Sequence, residues 1–210
     1  MKNKKLLILI LMSIMTTSAI FAQDTTAKTY KIGDDGPGGG IIFYHSEVGF
    51  DVYEPDGSFK KCHYLEVSKV DLGRIKWCPC KSNKTCYIPT LKILGGGKIN
   101  TLKIIKSVHL NKKTTLTTEN CAALACHSYS TATTKAGEWF LPSEYEMWEL
   151  LRNLKIRILA SNTTDHYRYW TSCLAEEEGG RSSLFHNFVS DSMSYCYKSN
   201  TCSVRAVRAF

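Results

Sequence analysis

"IGDDGPGGGIIFYH", residues Ile32–His45, places five glycines and a proline directly ahead of four apolar residues. A phosphate-binding glycine loop follows a strand and opens a helix, so that the first helical amides face the anion. Here the order is inverted, because the glycines lead into "IIFY", a strand-forming run. No Lys-Ser/Thr follows the last glycine, and no helix stands behind it, which excludes a nucleotide loop. Asp34-Asp35-Gly36 with Pro37 reads instead as an Asx-type turn, with glycines supplying positive φ. The paired aspartates are also candidate ligands for calcium, a hard cation that takes clustered oxygens, although the EF-hand spacing is absent.

Upstream, Lys2, Lys4 and Lys5 precede the apolar run "LLILILMSIM", and "AIFA" ends in a small residue, Ala22. That is the anatomy of a secretory signal peptide over residues 1–22, with an uncleaved anchor as the alternative. Residues 23–31 are polar and read as a flexible lead-in to a single domain over 32–210. No later segment approaches membrane-spanning length, so no integral membrane segment is expected after cleavage, and the chain belongs outside the cytoplasm: secreted, periplasmic or at the cell surface. Removing three lysines lowers the formal net charge from +8 to +5. That mild excess, without an arginine-rich helix or basic–aromatic module, reads as a solvated surface and not as a nucleic-acid interface.

All nine cysteines follow the signal segment. Export favours disulfides, and an odd count leaves one thiol free or linked to another chain. Cys62, Cys78, Cys80 and Cys86 form one cluster, but the single residue inside "CPC" is too short for structural zinc spacing, so disulfides are expected there. Cys196 and Cys202 are symmetric about Ser199. A tight turn at "KSN" would set them opposite each other on a hairpin, as a Cys196–Cys202 bridge.

For the rest of the chain, "EPDG" predicts a turn between two strands, the second over His63–Ser68. Residues 71–97 read as a long loop. "NTLKIIKSVHL" predicts a helix with Leu102, Ile105 and Val108 or His109 on one face. "TTENCAALACHSY" predicts another, with Thr118 as its cap. In "PSEYEMWELLRNL" Ser143 and Glu146 have capping-box spacing, and Trp148, Leu151 and Leu154 form the apolar stripe, which favours Trp148 as a core residue over a ligand platform. The tail "YWTS", "SLFHNFV", "MSYCY" and "SVRAVRAF" is strand-rich. Arginines on both faces of the last segment imply that at least one is buried with a partner.

The six histidines have no G-x-S-x-G elbow to serve, and neither H-E-x-x-H nor H-x-H occurs. "AEEEGG" (175–180) reads as a solvated acidic loop. These observations point away from an enzyme.

Read in order, "IGDDGPGGGIIFY", "YLEVSKVDLGRIKW", "LGGGKINTLKII", "EWFLPSEYEMWEL", "YWTS" and "VRAVRAF" resemble the Lcl C-terminal-domain family of bacterial surface proteins, also called the Fibrobacter major paralogous domain. The resemblance spans about residues 30–210. It implies an α+β, C-type-lectin-like fold in its formylglycine-generating-enzyme (sulfatase-modifying-factor) variant: two or more helices on a twisted antiparallel sheet, with long irregular loops and stabilising disulfides. It further implies an exported, non-enzymatic binding surface, adhesin- or lectin-like, for a glycan or a host or neighbour-cell protein; the Lcl domain is implied to take sulfated polysaccharides. Under it, Trp139, Leu141, Trp170, Val204 and Val207 become core and Arg205 and Arg208 become buried anchors. The segment 171–203 becomes the display surface, with His186, Asn187, Asp191, Tyr195, Tyr197 and Lys198 as candidate contacts. The chain departs from the family pattern at "CPCKSNKTC" and "CLAEEEGGRSS", both on expected loops. Two alternatives accompany that reading: a copper oxidase of the formylglycine-generating type using a cysteine pair, and a structural cell-surface component.

Overall fold

The computed structural model describes residues 28–80, 87–110, 115–160, 167–176 and 180–210, the side chains of 156–160 excepted. The expected signal peptide, Cys86 and Glu177, Glu178 and Gly179 of the acidic loop lie outside the described residues. In chain order the elements are β1 (Ile41–Tyr53), β2 (Phe59–Val67), β3 (Arg74–Lys76), α1 (Gly96–Leu110), α2 (Ala122–Ser128), α3 (Glu144–Ala160), β4 (Arg168–Leu174), β5 (Ser182–Asn187), β6 (Ser192–Tyr197), β7 (Thr201–Ser203) and β8 (Val207–Ala209). Among the described residues the fold is therefore α+β, with three helices and two sheets.

One sheet has the order β1-β2-β8 and the other β3-β7-β4-β5-β6. All pairings are antiparallel except that of β4 with β7, where Tyr169 faces Ser203. Val204–Ala206 carry the chain from β7 in the larger sheet to β8 in the smaller one. The terminal segment thus ties the two sheets together, and Arg205 sits at the crossing.

β1 and β2 form the hairpin that "EPDG" predicts. Glu54 N–H bonds Ser58 O (2.9 Å), Gly57 adopts φ 87°, and Asp56 caps Ser58 N–H. β1 is far longer than "IIFY", because a register shift between His45 and Phe50 lets it continue past the break in its pattern. Packing also reaches back beyond Ile32, where the Tyr30 ring meets Tyr64 and Phe210 edge-on.

Two cores result. Trp77, Trp139 and Trp170 anchor one with α1, α2 and the larger sheet. Phe43, Leu65, Met147, Leu150 and Leu151 build the other between the smaller sheet and α3. Each buried indole N–H is satisfied: Trp77 donates to Thr171 O, Trp139 to Thr134 Oγ1 and Trp170 to Ile75 O, all at 2.8 Å. Leu141, Val204 and Val207 are buried with them, as expected.

Three polar clamps hold these layers. The glycine run wraps the buried Glu66 carboxylate, to which Gly38 N–H (3.0 Å) and Gly40 N–H (3.0 Å) donate. A Cβ at Gly36 or Gly38 would overlap that carboxylate, so the glycines are required by close approach. Arg208 Nη1 pairs with Glu66 at 2.7 Å while its Nε reaches Glu138 at 3.0 Å. In the second clamp, Glu146 accepts N–H groups from Gly95 (2.9 Å) and Ser143 (2.6 Å), and Glu146 N–H returns to Ser143 Oγ (3.2 Å), the capping box. In the third, Arg205 donates to Ser68 O (3.0 Å) and Lys69 O (3.1 Å) beyond the end of β2.

Several expectations are corrected. The loop over 71–97 contains β3 and already starts α1 at Gly96. The inward face of α1 carries Asn100, Thr101, Ile104 and Val108, with Ile105 partly buried at its margin and Leu102 off it. Its two polar residues are buried because Asn100 bonds both Leu91 N and O, and Thr101 Oγ1 bonds Gly97 O and Leu141 N. α2 is entered at Cys121 without a side-chain cap, so Thr118 is not its cap. Asn120 instead bonds Thr117 N and Thr115 O in the preceding turn.

The cysteines also differ from expectation. Cys62, Cys78, Cys121, Cys126, Cys173, Cys196 and Cys202 are free thiols. Cys62 lies in the core beside α3 and Cys78 in the tryptophan core, so they form no single cluster. They pack as small apolar residues, and burial raises the thiols of Cys62, Cys78, Cys121, Cys126 and Cys173 above the usual range. Cys80 is disulfide-bonded, to a partner outside the described residues. β6 and β7 do not pair as a hairpin, since β6 pairs only with β5 while β7 inserts between β3 and β4. Cys196 and Cys202 nevertheless meet, at 3.9 Å between sulfurs, a contact and not a bond.

Candidate functional site

The outer surface of α3 carries the most exposed aromatic chemistry next to a groove. At about 100° per residue, Leu150, Leu151 and Leu154 fall within about 60° of Met147, whereas Trp148 falls about 100° away. Met147, Leu150, Leu151 and Leu154 are accordingly buried, and Trp148 is 45 % exposed, which corrects its expected place in the core. Tyr145 and Arg152, three residues before and four after it, share that outward face and are exposed as well. On the opposite flank Asn153 bonds Phe43 O (2.9 Å) and Glu149, fixing the helix against β1.

Trp148 forms a ridge between two open grooves. One, of about 670 Å³, is lined by Lys92, Ile93, Glu144, Tyr145, Glu149 and Arg152 besides Trp148. The other, of about 660 Å³, runs from the same Trp148 and Arg152 to Lys155 and Asp191. Asp191 is in the turn between β5 and β6 at φ 53°, the only described non-glycine residue with positive φ. Its carboxylate meets Lys155 Nζ at 3.4 Å, which holds that strained turn against α3.

Beneath the ridge lies His186. It is fully buried, and Trp148 and Phe188 approach it edge-on at 5.2 and 5.9 Å between ring centres. Among the described residues neither imidazole nitrogen has a well-formed hydrogen-bond partner. Burial lowers its pKa, with the charges of Asp191 opposing and Lys155 assisting. The unfolded chain therefore takes up the proton first, and this site loses stability as pH falls below the ordinary imidazole value of about 6.5. His186→Phe is expected to gain on the wild type between about pH 7 and 5 in urea-denaturation midpoints. A constant difference between the two across that range would refute the assignment.

The six expected contact residues divide. In the β5–β6 register Leu184 faces Tyr195, Ser182 faces Tyr197 and His186 faces Met193. Cross-strand partners share a face, so Tyr195 and Tyr197 stand on the side that carries His186, beneath α3. Both are exposed, on an edge strand. Asp191 joins them at the groove. Asn187 spends its side-chain oxygen on Val189 N and Ser190 N, capping the turn. His186 and Lys198 are buried, so neither offers a surface to a ligand, and Lys198 points to the other core, its ammonium 5.2 Å from the Trp77 ring centre. The sequence offers Trp148 as a ligand platform only as the lesser alternative, because its spacing with Leu151 and Leu154 reads as core, and it gives no signal for Tyr145; the neighbouring Met147 shifts the stripe by one residue.

A copper oxidase of the formylglycine-generating type needs a reactive cysteine pair open to substrate. Cys196 and Cys202 are close enough to be considered, and the contact with Cys202 holds the Cys196 thiol below its usual range and Cys202 above it. However, Cys202 is buried and both sulfurs pack on the tryptophan core, away from either groove. The pair does not fit that role. Asp34 and Asp35 also diverge, Asp34 capping Lys31 N–H (2.8 Å) and Asp35 meeting Lys69 (2.7 Å). Among the described residues no group of three or more His, Cys, Asp or Glu is placed to hold a metal, and no helix is long and apolar enough to cross a membrane.

Comparison with protein-family models and with curated proteins finds no match to this chain.

Proposed function

We propose that this chain is an exported, non-enzymatic binding domain of C-type-lectin-like fold that recognises a glycan or a protein through the Trp148 ridge and the adjoining β6 edge. The observation that carries the reading is an exposed tryptophan between two open grooves. Leaving so large an apolar ring in water is unfavourable unless a partner covers it. Tyr145, Tyr195 and Tyr197 add rigid amphipathic rings on neighbouring surfaces, and Asp191 and Arg152 add polar contacts, the composition of adaptable recognition surfaces. The ordered motifs quoted above support the same class.

Trp148→Ala is expected to weaken retention on glycan and protein arrays about thirtyfold, as truncation of an anchoring aromatic does. Its melting temperature should stay within a few degrees of wild type, since the ring is half in solvent already. Undiminished retention would remove the ridge from the site. Replacing Tyr195 and Tyr197 together tests the β6 edge in the same assay. A structural surface component is the second reading, favoured by the position of β6 at the edge of its sheet among the described strands. It requires concentration-dependent self-association in sedimentation, and a monomer at all concentrations excludes it.

A further inference from the structure

We infer that the Trp148 ridge takes an uncharged saccharide chain, laid across the ring so that consecutive sugars occupy the two grooves. The inference rests on the binding reading above and narrows it to a ligand class.

The charges around the ridge decide the class. The grooves are lined by three cations, Lys92, Arg152 and Lys155, and three acids, Glu144, Glu149 and Asp191. Each cation already has an acid: Lys92 with Glu144 at 3.6 Å, Arg152 with Glu149 at 3.8 Å, Lys155 with Asp191 at 3.4 Å. A sulfated or carboxylated chain bound at any of these cations would lie beside the carboxylate already paired with it, a like-charge contact that opposes binding. The three cations and three acids of the grooves sum to zero, so the formal net charge of the whole chain is no guide here.

An uncharged sugar meets no such obstacle. Its hydroxyls both donate and accept, so they can bond a carboxylate oxygen and a neighbouring guanidinium or ammonium without separating the pair. Its C–H face presents apolar surface of ring size, matching the exposed faces of Trp148 and Tyr145. The two grooves share Trp148 and Arg152 as a common wall. An occupant continuous across that wall repeats on either side of one ring, as neighbouring units of a polysaccharide do. Paired charges also make the attraction short-ranged, so affinity should hardly respond to ionic strength.

The test is calorimetric titration of the full chain with a panel of uncharged oligosaccharides (β-glucans, mannans, xylans, galactans and chitin fragments), with heparin fragments and dextran sulfate as anionic comparators. The expected result is binding by at least one uncharged chain, changing less than about twofold between about 50 and 500 mM salt. Trp148→Ala should weaken it about thirtyfold, and Arg152→Ala should weaken it less, with no gain for anionic chains. Binding by the sulfated chains only, still lost in Trp148→Ala, would overturn the uncharged-saccharide assignment while leaving the ridge as the site. Saccharide binding unchanged in Trp148→Ala would overturn the ridge itself. If no member of the panel binds, the saccharide assignment falls.

Discussion

Replacing Glu66 by alanine is expected to destabilise the fold by about 3–5 kcal/mol, the range seen when one partner of a buried charge pair is removed. Glu66 is fully buried, and Arg208, its partner at 2.7 Å, is mostly so. The substitution also strands the N–H groups of Gly38 and Gly40, each an orphaned donor worth about 1–3 kcal/mol. Those amides belong to a turn that cannot move away, because it is bonded to β1 through Gly33 N–H to Ile42 O and Ile42 N–H to Asp34 O. Glu138→Ala is the control. It removes the other carboxylate on Arg208, but an exposed one, and should cost less than about 1 kcal/mol. Urea midpoints measure both. If the two variants lose the same amount, Glu66 is not the centre of the glycine turn.

That clamp shows where sequence reasoning ends. The inverted order of glycines and strand was legible in "GDDGPGGGIIFY", and it excluded a phosphate. The run does bind an anion with its amides, but the anion is a side chain 26 to 28 positions further on, and no local pattern announces such a contact. Local signals fared well: "EPDG" closes the expected hairpin, and Ser143 and Glu146 reciprocate as the capping box. The burial of Trp139, Trp170 and Arg205 also follows expectation.

Failures came where tertiary contacts outweigh pattern. Asn100 and Thr101 face inward because loop backbone and neighbouring strands satisfy them, which rotates α1 from the face its apolar residues suggest. The symmetry of Cys196 and Cys202 about Ser199 suggested a hairpin, yet β7 is drawn between β3 and β4. Trp148 was misplaced by one step of the helix. In each case the missing information was which neighbour covers a residue, and that depends on distant parts of the chain.

Glu146 gives the second large effect, as a dependence on pH. Its carboxyl is fully buried, and desolvation lifts its pKa to about 7, against the backbone N–H bonds from Ser143, Gly97 and Gly95 that favour the anion. With a folded pKa above the unfolded one, the folded chain holds the proton between about pH 4.5 and 7 while the unfolded chain has released it. The contribution of this group to stability is therefore greatest below about pH 4.5 and declines as pH rises through 7, by on the order of 3 kcal/mol. Glu146→Gln removes the titration and keeps the shape. It also turns an amide N–H toward donors that need an acceptor, so the variant should be less stable than wild type at low pH by about 1–3 kcal/mol. The gap between the two should then narrow, or reverse, from about pH 5 to 8. Comparing the proteins at each pH cancels His186, which titrates oppositely in both. A gap that stays constant across this range would mean that the amides of the 95–97 turn hold Glu146 ionised throughout.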